Sequence, residues 1–463
     1  MAGMYERICA QFEAFSPNSR VAAAAAQDVF PGGDTRSSAH YAPYPLFVTH
    51  AEGARLHDAD GHVLLDCMNN FTSLIHGHAH PDVVRAVTEQ VARGSAYAAP
   101  TESQVQLARH IRDRVPGIEQ LRFCSSGSEA TLMAIRCARA ATGRHKIMKM
   151  EGGYHGSYEL AEVSLAPVAE LAGSLDAPNS IPIDDSFPPS VLADTVVCPY
   201  NEPELARALI ARHAHELAAV IVEPVLGSMG MVPATREFLA ALREATAERE
   251  VVLIFDEVIT LRLGDLGAQQ RHGVTPDLTA MGKIIGGGLP IGGIGGSRAL
   301  MQRFHPEQPR PVMHASTFSG NPMSMAAGLA AMQRFDPQQR AHVDALGERL
   351  REGFNAAFER TGVRGQAIGM GSLSNVHLVD AQLGDGPLDN ARATFAASRS
   401  AGRALRCIHL GMLVRGVASA ARLMYCTSTA MTVADIDFAV AAMEDTLRDL
   451  RDDLAREKPG LLA

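Results

Sequence analysis

Three short apolar runs in the middle of the chain constrain its fold more than any other feature. The runs Thr195–Tyr200, Ala218–Glu223 and Val251–Asp256 alternate with two helix-like stretches, Glu204–His215 and Arg236–Glu248. Such alternation is typical of βαβ units that build a largely parallel sheet. The second and third runs each end in a carboxylate, as expected of buried parallel strands whose carboxyl ends open into a ligand crevice.

Segments on either side of this region predict a second, smaller domain. Ala54–Asp66 carries an Asp-Gly turn between alternating segments, which predicts a β-hairpin. The C-terminal part is predicted to contain helices at 325–335, 342–360 and 433–454, and a strand at 372–379. We therefore predict an α/β protein with a large domain over residues 71–325 and a smaller α+β domain formed by residues 1–70 and 326–463.

Charge and cysteine usage argue against several classes of protein. The 463 residues hold 51 acidic and 42 basic side chains, for a net charge of −9, without the clustered basic charge that sequence-independent nucleic-acid binding needs. The seven cysteines are scattered and form no Cys-x-x-Cys pair, which favours a reducing compartment. No stretch resembles a signal peptide or a membrane span, so we predict a soluble, cytoplasmic protein without a membrane partner.

Lys283 stands in an unusual setting, the glycine-rich stretch of residues 281–296. It is one of only four lysines, and no carboxylate lies within five residues on either side. A lysine whose ammonium form is destabilised by desolvation can act as a Schiff-base nucleophile, whereas the alternative is a lysine on a flexible surface loop. The polar surroundings of Lys146, Lys149 and Lys458 predict solvated amines.

The segment Ser125–Arg136 places small polar residues before a strong helix pattern. Backbone N–H groups at a helix start, together with the hydroxyls of Ser126 and Ser128, would suit a phosphate. A plain helix cap, in which Ser126 pairs with Glu129, explains the same residues. The glycine-rich stretch around Lys283 lacks the spacing of a P-loop or of a dinucleotide-binding fingerprint, so both of these nucleotide sites are excluded.

Asp256 ends the strongest predicted strand and could hold a cation, such as a protonated pyridine nitrogen. The alternatives are a helix N-cap or a metal site shared with Glu223. No histidine accompanies these two carboxylates at ligand spacing, so a metal is not expected there.

Histidines and aromatic residues in turns offer two further candidate sites. Three alternating histidines between residues 76 and 80 are better explained by a loop that enters a helix at Pro81 than by a metal site. In the turn Gly152–Gly156, Tyr154 or His155 could stack on a flat heterocycle, although a packed turn aromatic is the commoner outcome.

Together these residues resemble the class III branch of the fold-type I pyridoxal-phosphate enzymes, near the glutamate-1-semialdehyde aminomutase and β-amino-acid aminotransferase group. The resemblance extends from Pro31 to about Thr432 and is specific, because several motifs occur in the family's order. They are Ser-Ser-Gly-Ser-Glu-Ala (125–130), Gly-Gly-Tyr-His-Gly (152–156), Pro-Tyr-Asn-Glu (199–202), Val-Glu-Pro (222–224), Phe-Asp-Glu-Val (255–258), Pro-Asp-Leu-Thr-Ala-Met-Gly-Lys (276–283) and Thr-Phe-Ser-Gly-Asn-Pro (317–322). The resemblance implies a fold-type I architecture, pyridoxal 5'-phosphate as the cofactor, and an obligate homodimer with shared active sites.

The resemblance also implies roles for the matching residues. Lys283 would form a Schiff base with the cofactor and later carry the substrate proton, while Asp256 would keep the pyridine nitrogen protonated. The other implied cofactor contacts are Ser126, Gly127 and Ser128 at the phosphate, Tyr154 and Val258 on the two ring faces, His155 in the same turn as Tyr154, Asn201 and Glu223 in a polar layer, and Thr317 from the other subunit.

A site for a substrate carboxylate is implied as well. Arg36 follows the Pro-Gly segment as in the β-amino-acid branch, with Tyr41 nearby, and Arg415 is a second candidate.

Residues 420–431 depart from the aminomutase pattern because they lack that group's acidic residue. We therefore expect an aminotransferase that moves an amino group between a carboxylate-bearing amine, such as a β-amino acid, and a 2-oxo acid in two half-reactions. The alternative is an intramolecular aminomutase of the glutamate-1-semialdehyde type, or another pyridoxal-phosphate reaction on the same fold.

Overall fold

The structure is a computed structural model that describes residues 3–265, 267–384 and 386–463. It divides into two compact units. The first unit comprises Met1–His80, Ala341–Pro387 and Ala396–Ala463, and the second comprises Pro81–Arg340 and Leu388–Phe395. The boundaries predicted from the sequence were 70/71 and 325/326, and residues 388–395 belong with the second unit, which the sequence pattern does not indicate.

A seven-stranded sheet forms the centre of the second unit. In spatial order its strands are Gln120–Cys124, Gly292–Gly296, Leu278–Gly282, Val252–Asp256, Leu217–Val222, Lys146–Met150 and Thr195–Cys198. Every neighbouring pair is parallel except the two pairs that involve Gly292–Gly296. The strands Val252–Asp256 and Leu217–Val222 are buried along their whole length, which explains their continuous apolar sequences. The predicted α/β fold with a mostly parallel sheet is confirmed.

Helices precede, connect and follow these strands along the chain. They are Pro81–Val91, Glu102–Arg112, Gly127–Thr142, Glu159–Glu162, Pro189–Ala193, Pro203–His213, Arg236–Glu248, Ala268–His272, Arg298–Met301 and Pro322–Arg334. Two short hairpins join Gly173–Ser174 to Ala177–Pro178 and Val225–Leu226 to Val232–Pro233. The helix Gly127–Thr142 ends at Gly143, whose φ of +71° is left-handed backbone that favours glycine.

The first unit contains two small sheets. One joins Val48–Glu52, Arg55–Asp58, Val63–Asp66 and Val417–Ala418, and the other joins Gly365–Met370, Leu373–Leu378 and Met424–Cys426. The predicted hairpin is confirmed, because Leu56 pairs with Leu64 in antiparallel register. The helices of this unit are Met4–Phe15, Pro17–Gln27, Arg403–Val414 and Val433–Glu457, while Pro337–Thr361 and Ala391–Ala401 each include a boundary between units. Within the described ranges, no helix has both the length and the apolar character needed to cross a membrane.

Candidate active site

Three of the predicted site residues lie at the carboxyl edge of neighbouring parallel strands. Asp256 ends one strand, Glu223 follows the strand on one side of it, and Lys283 follows the strand on the other side. Parallel strands end at the same edge of a sheet, so side chains that are distant in sequence converge there. The sequence pattern placed each residue at a strand end, and the strand order brings the three together.

Asp256 is paired with a buried histidine. Its Oδ2 atom lies 2.9 Å from Nδ1 of His155, and both side chains are buried. Burial lowers the pKa of His155, and the contact with Asp256 opposes this shift. The Nδ1–H of His155 donates to this carboxylate, so His155 orients Asp256, and stacking of its ring on the cofactor stays a prediction. Oδ1 of Asp256 accepts the backbone N–H of Val258 at 3.0 Å, and lone pairs remain for another donor.

Glu223 is bound by two backbone N–H groups. Oε1 accepts from Tyr154 at 2.9 Å, and Oε2 accepts from Gly227 at 3.1 Å. Burial, followed by the charge of Asp256, raises the pKa of Glu223 to about 8, whereas these hydrogen bonds and the charge of Lys283 act in the opposite direction. The carboxyl group therefore lies close enough to both Asp256 and Lys283 to sense their charges.

The turn before the helix Gly127–Thr142 is capped in the way that the alternative interpretation predicts. Oγ of Ser126 accepts the N–H of Glu129 at 3.1 Å, while Oε2 of Glu129 accepts the N–H of Ser125 at 2.7 Å. Oγ of Ser128 accepts the N–H of Ser157 at 3.2 Å. The cap uses the N–H of Glu129, and an anion would bind the N–H groups of Gly127 and Ser128, the first two residues of this 16-residue helix.

The side chain of Val258 packs against two glycines, Gly127 and Gly282. A Cβ atom on Gly127 would lie 2.9 Å from Cγ1 of Val258, and a Cβ atom on Gly282 would lie 3.3 Å from the same atom. Val258 therefore contacts both the first residue of the capped helix and the residue that precedes Lys283, and these two glycines also lie close to each other. This location suits the predicted contact of Val258 with one face of the cofactor ring, which remains a prediction.

Asn201 and Thr317 have different surroundings. Asn201 adopts a left-handed backbone with φ of +63°, and its side chain bonds to the backbone at Thr235, Pro233 and Asp389. It connects to two other backbone segments, at residues 233–235 and at Asp389, and its part in cofactor binding stays a prediction. Thr317 is exposed, and so are Met313 (65%) and Phe318 (61%) in the same stretch.

Arg36, the first candidate for the substrate carboxylate, belongs to the first unit and is exposed. Its Nη1 atom donates to Oδ1 of Asn70 at 3.1 Å. Asn70 lies in the turn Asn69–Thr72, whose four residues all have positive φ. Consecutive left-handed residues other than glycine are strained, and such strain is concentrated at functional sites.

The other two substrate candidates are engaged within the first unit. The hydroxyl of Tyr41 accepts the N–H of Leu46 at 2.8 Å, and its ring packs edge-on against His409. Arg415 forms an ion pair with Asp449, so its guanidinium already holds a carboxylate of the chain itself. The accessible guanidinium of Arg36 is therefore the better candidate for a substrate carboxylate.

The alternating histidines are used structurally. Nε2 of His78 lies 2.7 Å from Oδ2 of Asp66, and Nδ1 of His76 lies 2.9 Å from Oγ1 of Thr429. The helix Pro81–Val91 begins directly after them, which confirms the interpretation of a loop that enters a helix. Across the part of the chain that the structure describes, no group of three or more His, Cys, Asp or Glu side chains could hold a metal ion.

The prediction that Lys149 is solvated is wrong. Its side chain is 0% exposed, and its Nζ atom donates to the carbonyl oxygens of Gly153 and Val163. Lys149 lies on an inner strand of the sheet, whereas Lys146 at the start of the same strand pairs with Glu216 at 3.0 Å. The available signal was its position in a strand that leads directly into the Gly-Gly-Tyr-His-Gly turn.

These residues fit pyridoxal phosphate. The Asp256 carboxylate is buried and keeps acceptor capacity for a pyridine N–H. The helix Gly127–Thr142 follows Gln120–Cys124, a strand that runs parallel to those carrying Asp256 and Lys283, so its N-terminus offers a phosphate site at the same edge. An amine, a carboxylate and a phosphate cradle are thus provided by one sheet.

Residues 36–425 match the class-III aminotransferase family. Glutamate-1-semialdehyde 2,1-aminomutase from Methanopyrus kandleri is 43% identical over 356 residues, which are 76% of this chain and 80% of that protein. An ω-transaminase from Sphaerobacter thermophilus has a TM-score of 0.89 at 42% identity and covers 94% of this chain and 98% of its own. A β-phenylalanine aminotransferase from Variovorax paradoxus has a TM-score of 0.86 at 35% identity, with coverages of 97% and 98%.

A further solved structure, a glutamate-1-semialdehyde-aminomutase from Pseudomonas aeruginosa in complex with PMP, has a TM-score of 0.86 at 26% identity and covers 96% of this chain and 98% of its own. The family match spans most of the chain, and these structures share its fold-type I architecture. The resemblance inferred from the motifs is confirmed, and so is pyridoxal 5'-phosphate as the cofactor. The chain belongs to the class-III aminotransferase family of pyridoxal-phosphate-dependent enzymes.

Proposed function

We propose that the protein moves an amino group between neighbouring carbon atoms of one small, carboxylate-bearing amino aldehyde, as an aminomutase of the glutamate-1-semialdehyde type. The buried Asp256–His155 pair, on the same sheet edge as Lys283, is the observation that carries amino-group chemistry. The intramolecular form is supported by the aminomutase relative from Methanopyrus kandleri. From the sequence alone, this reaction is the alternative, and transfer to a separate 2-oxo acid is the main expectation.

Each of the candidate site residues would have a separate role in this reaction. Bound pyridoxal phosphate supplies an aldehyde that condenses with amines and a ring that withdraws electrons. Asp256, oriented by His155, would accept the pyridine N–H and keep that nitrogen protonated. The Lys283 amine would attach the cofactor and, once a substrate amine displaces it, hold and return the substrate's Cα proton. The Ser126–Ser128 turn would bind the phosphate, and Arg36 the substrate carboxylate.

The second candidate function is an aminotransferase that uses a 2-oxo acid as a separate acceptor. Two observations favour it. The ω-transaminase from Sphaerobacter thermophilus covers almost the full length of both chains at 42% identity. In addition, residues 420–431 lack the acidic residue that the aminomutase group carries there.

We also propose that the enzyme is a homodimer in which Thr317 contributes to the partner's cofactor site. Support comes from the exposed side chains of Met313 and Phe318, because large apolar groups clustered on a surface are typical of an interface. The expected cytoplasmic location rests on the sequence and stays a prediction.

One experiment separates the two reactions. Glutamate 1-semialdehyde is supplied to the cofactor-loaded protein with and without a 2-oxo acid, and both the rearranged isomer and any new keto acid are trapped and quantified. An aminomutase forms the isomer without an added acceptor, whereas an aminotransferase consumes the 2-oxo acid in equal amount. Turnover of a β-amino acid with a 2-oxo acid, and none of the semialdehyde alone, would overturn the aminomutase proposal.

A further inference from the structure

One segment of the second unit touches three parts of the active site. The segment Gly152–Val163 bonds to Glu223 at 2.9 Å, to Asp256 at 2.9 Å and to Ser128 at 3.2 Å. It therefore reaches two strand ends and the turn that would bind the phosphate. Any shift of this segment would change the orientation of Asp256 and the surroundings of the cofactor together.

The side-chain nitrogen of Lys149 is hydrogen-bonded to both ends of this segment. Nζ of Lys149 donates to the carbonyl oxygen of Gly153 at 2.7 Å and to that of Val163 at 2.5 Å. Hydrogen bonds are electrostatically stronger where water is excluded, and a protonated amine donates more strongly than a neutral one. Lys149 is thus a buried clamp at the base of the segment.

Burying this amine has a cost that simple packing would not require. Burial lowers the pKa of Lys149 to about 7, while the nearby charges of Glu223, Glu151 and Glu162 oppose the shift. Within the described residues its hydrogen bonds go to the two carbonyl oxygens and to no carboxylate. An apolar side chain of similar length would fill the same space without this penalty.

We propose that Lys149 is a positioning residue of the active site, which holds His155 against Asp256 by fixing both ends of the Gly152–Val163 segment. The inference rests on the proposed function, because it requires Asp256 to act on the cofactor ring. Lys149 itself touches neither Asp256 nor Lys283 in any hydrogen bond of the described chain. Besides burial, the charge of Lys149 lowers the pKa of His155, so Lys149 acts on the site through this charge as well as through the segment that it holds.

The test compares Lys149→Met with Lys149→Arg and with the control Lys146→Met. Lys146 lies on the same strand but is bonded at the surface to Glu216, so its loss leaves the segment intact. For each purified holoenzyme we would measure the dissociation constant of pyridoxal phosphate, the absorption spectrum of the bound cofactor and the melting temperature. We expect Lys149→Met to weaken cofactor binding about tenfold or more, by analogy with metal sites, where loss of an outer partner typically costs about 10–100-fold in affinity. We also expect it to shift the absorption band. Lys149→Arg should recover part of both, and Lys146→Met should match the wild type.

A double-mutant cycle with His155→Asn tests whether Lys149 acts through His155. If Lys149 acts through His155, the double variant binds pyridoxal phosphate no more weakly than whichever single variant binds it more weakly. If the two residues act independently, the factors by which each substitution raises the dissociation constant multiply. Multiplying effects, or a lowered melting temperature with wild-type affinity and spectrum, would reduce Lys149 to a structural role. If Lys149→Met does not fold, Lys149→Gln, which keeps N–H donors without the charge, takes its place in the cycle. If the wild type lacks the proposed activity but the variants show these affinity changes, only the proposed function is contradicted. If the wild type has the proposed activity but the variants bind the cofactor normally, only this inference is contradicted.

Discussion

Lys283 is the residue on which the proposed chemistry depends most. Its φ of +50° is left-handed, a conformation that costs about 1–3 kcal/mol in a residue other than glycine and that the surrounding structure must hold. Replacing Lys283 with Ala removes the amine that attaches the cofactor. We expect the visible absorption of the lysine-linked cofactor to disappear and turnover to fall at least about a thousandfold, measured by absorbance and single-turnover kinetics. The control Lys458→Ala, which removes a bond to the carbonyl of Ser400, should keep both, and full turnover by Lys283→Ala would refute the assignment.

We expect His409 to make the stability of the protein depend on pH. Its ring is buried, and burial lowers its pKa to about 4 from an ordinary value of 6.5. As the pH falls through this interval, the unfolded chain takes up the proton first, so the free energy of unfolding decreases by up to about 3 kcal/mol. We expect His409→Gln to remove this part of the pH dependence in urea titrations between pH 4 and 6.5. The exposed His215→Gln should leave the slope unchanged, and an unchanged slope in His409→Gln would contradict the assignment.

At the scale of elements, the strand Gly292–Gly296 begins so close to the Ser126–Ser128 turn that its first residue has no room for a side chain. A Cβ atom on Gly292 would lie 1.9 Å from the carbonyl oxygen of Ser126, whereas one on Gly293 would lie no closer than 3.5 Å to any atom. Gly292→Ala must therefore displace the Ser126 turn. We expect a loss of about 1–3 kcal/mol in unfolding free energy and weaker binding of pyridoxal phosphate, measured by urea unfolding and cofactor titration. Gly293→Ala is the matched control on the same strand, and equal effects of the two substitutions would exclude this explanation.

At the scale of the whole molecule, the proposed homodimer makes cofactor binding depend on assembly. We expect sedimentation equilibrium to give particles of two 49.3 kDa chains. Phe318→Asp places a charge beside Thr317 in the proposed interface, so it should yield monomers that also bind the cofactor more weakly. Val433→Asp changes a comparably exposed apolar residue and should remain dimeric. A monomeric wild type with full turnover would contradict the shared active site.

Local sequence patterns were sufficient for much of the fold and for part of the site. Continuous apolar runs identified buried strands, and the carboxylates Asp256 and Glu223 were recognised as strand ends because the pattern changes there. The Ser126 cap was predictable because it joins residues only three positions apart. Domain boundaries were less certain, since helices such as Pro337–Thr361 run through them without a change in pattern.

The sequence by itself therefore determined the strands and the caps, and it singled out Lys283 as the candidate Schiff-base lysine, because these features depend on neighbours along the chain. Only the tertiary structure decided that His155 orients Asp256, that Lys149 is a buried clamp, and that Gly292 must lack a side chain. Each of these depends on which strands lie side by side, and sheet order is set by burial of the whole core rather than by any local run of residues.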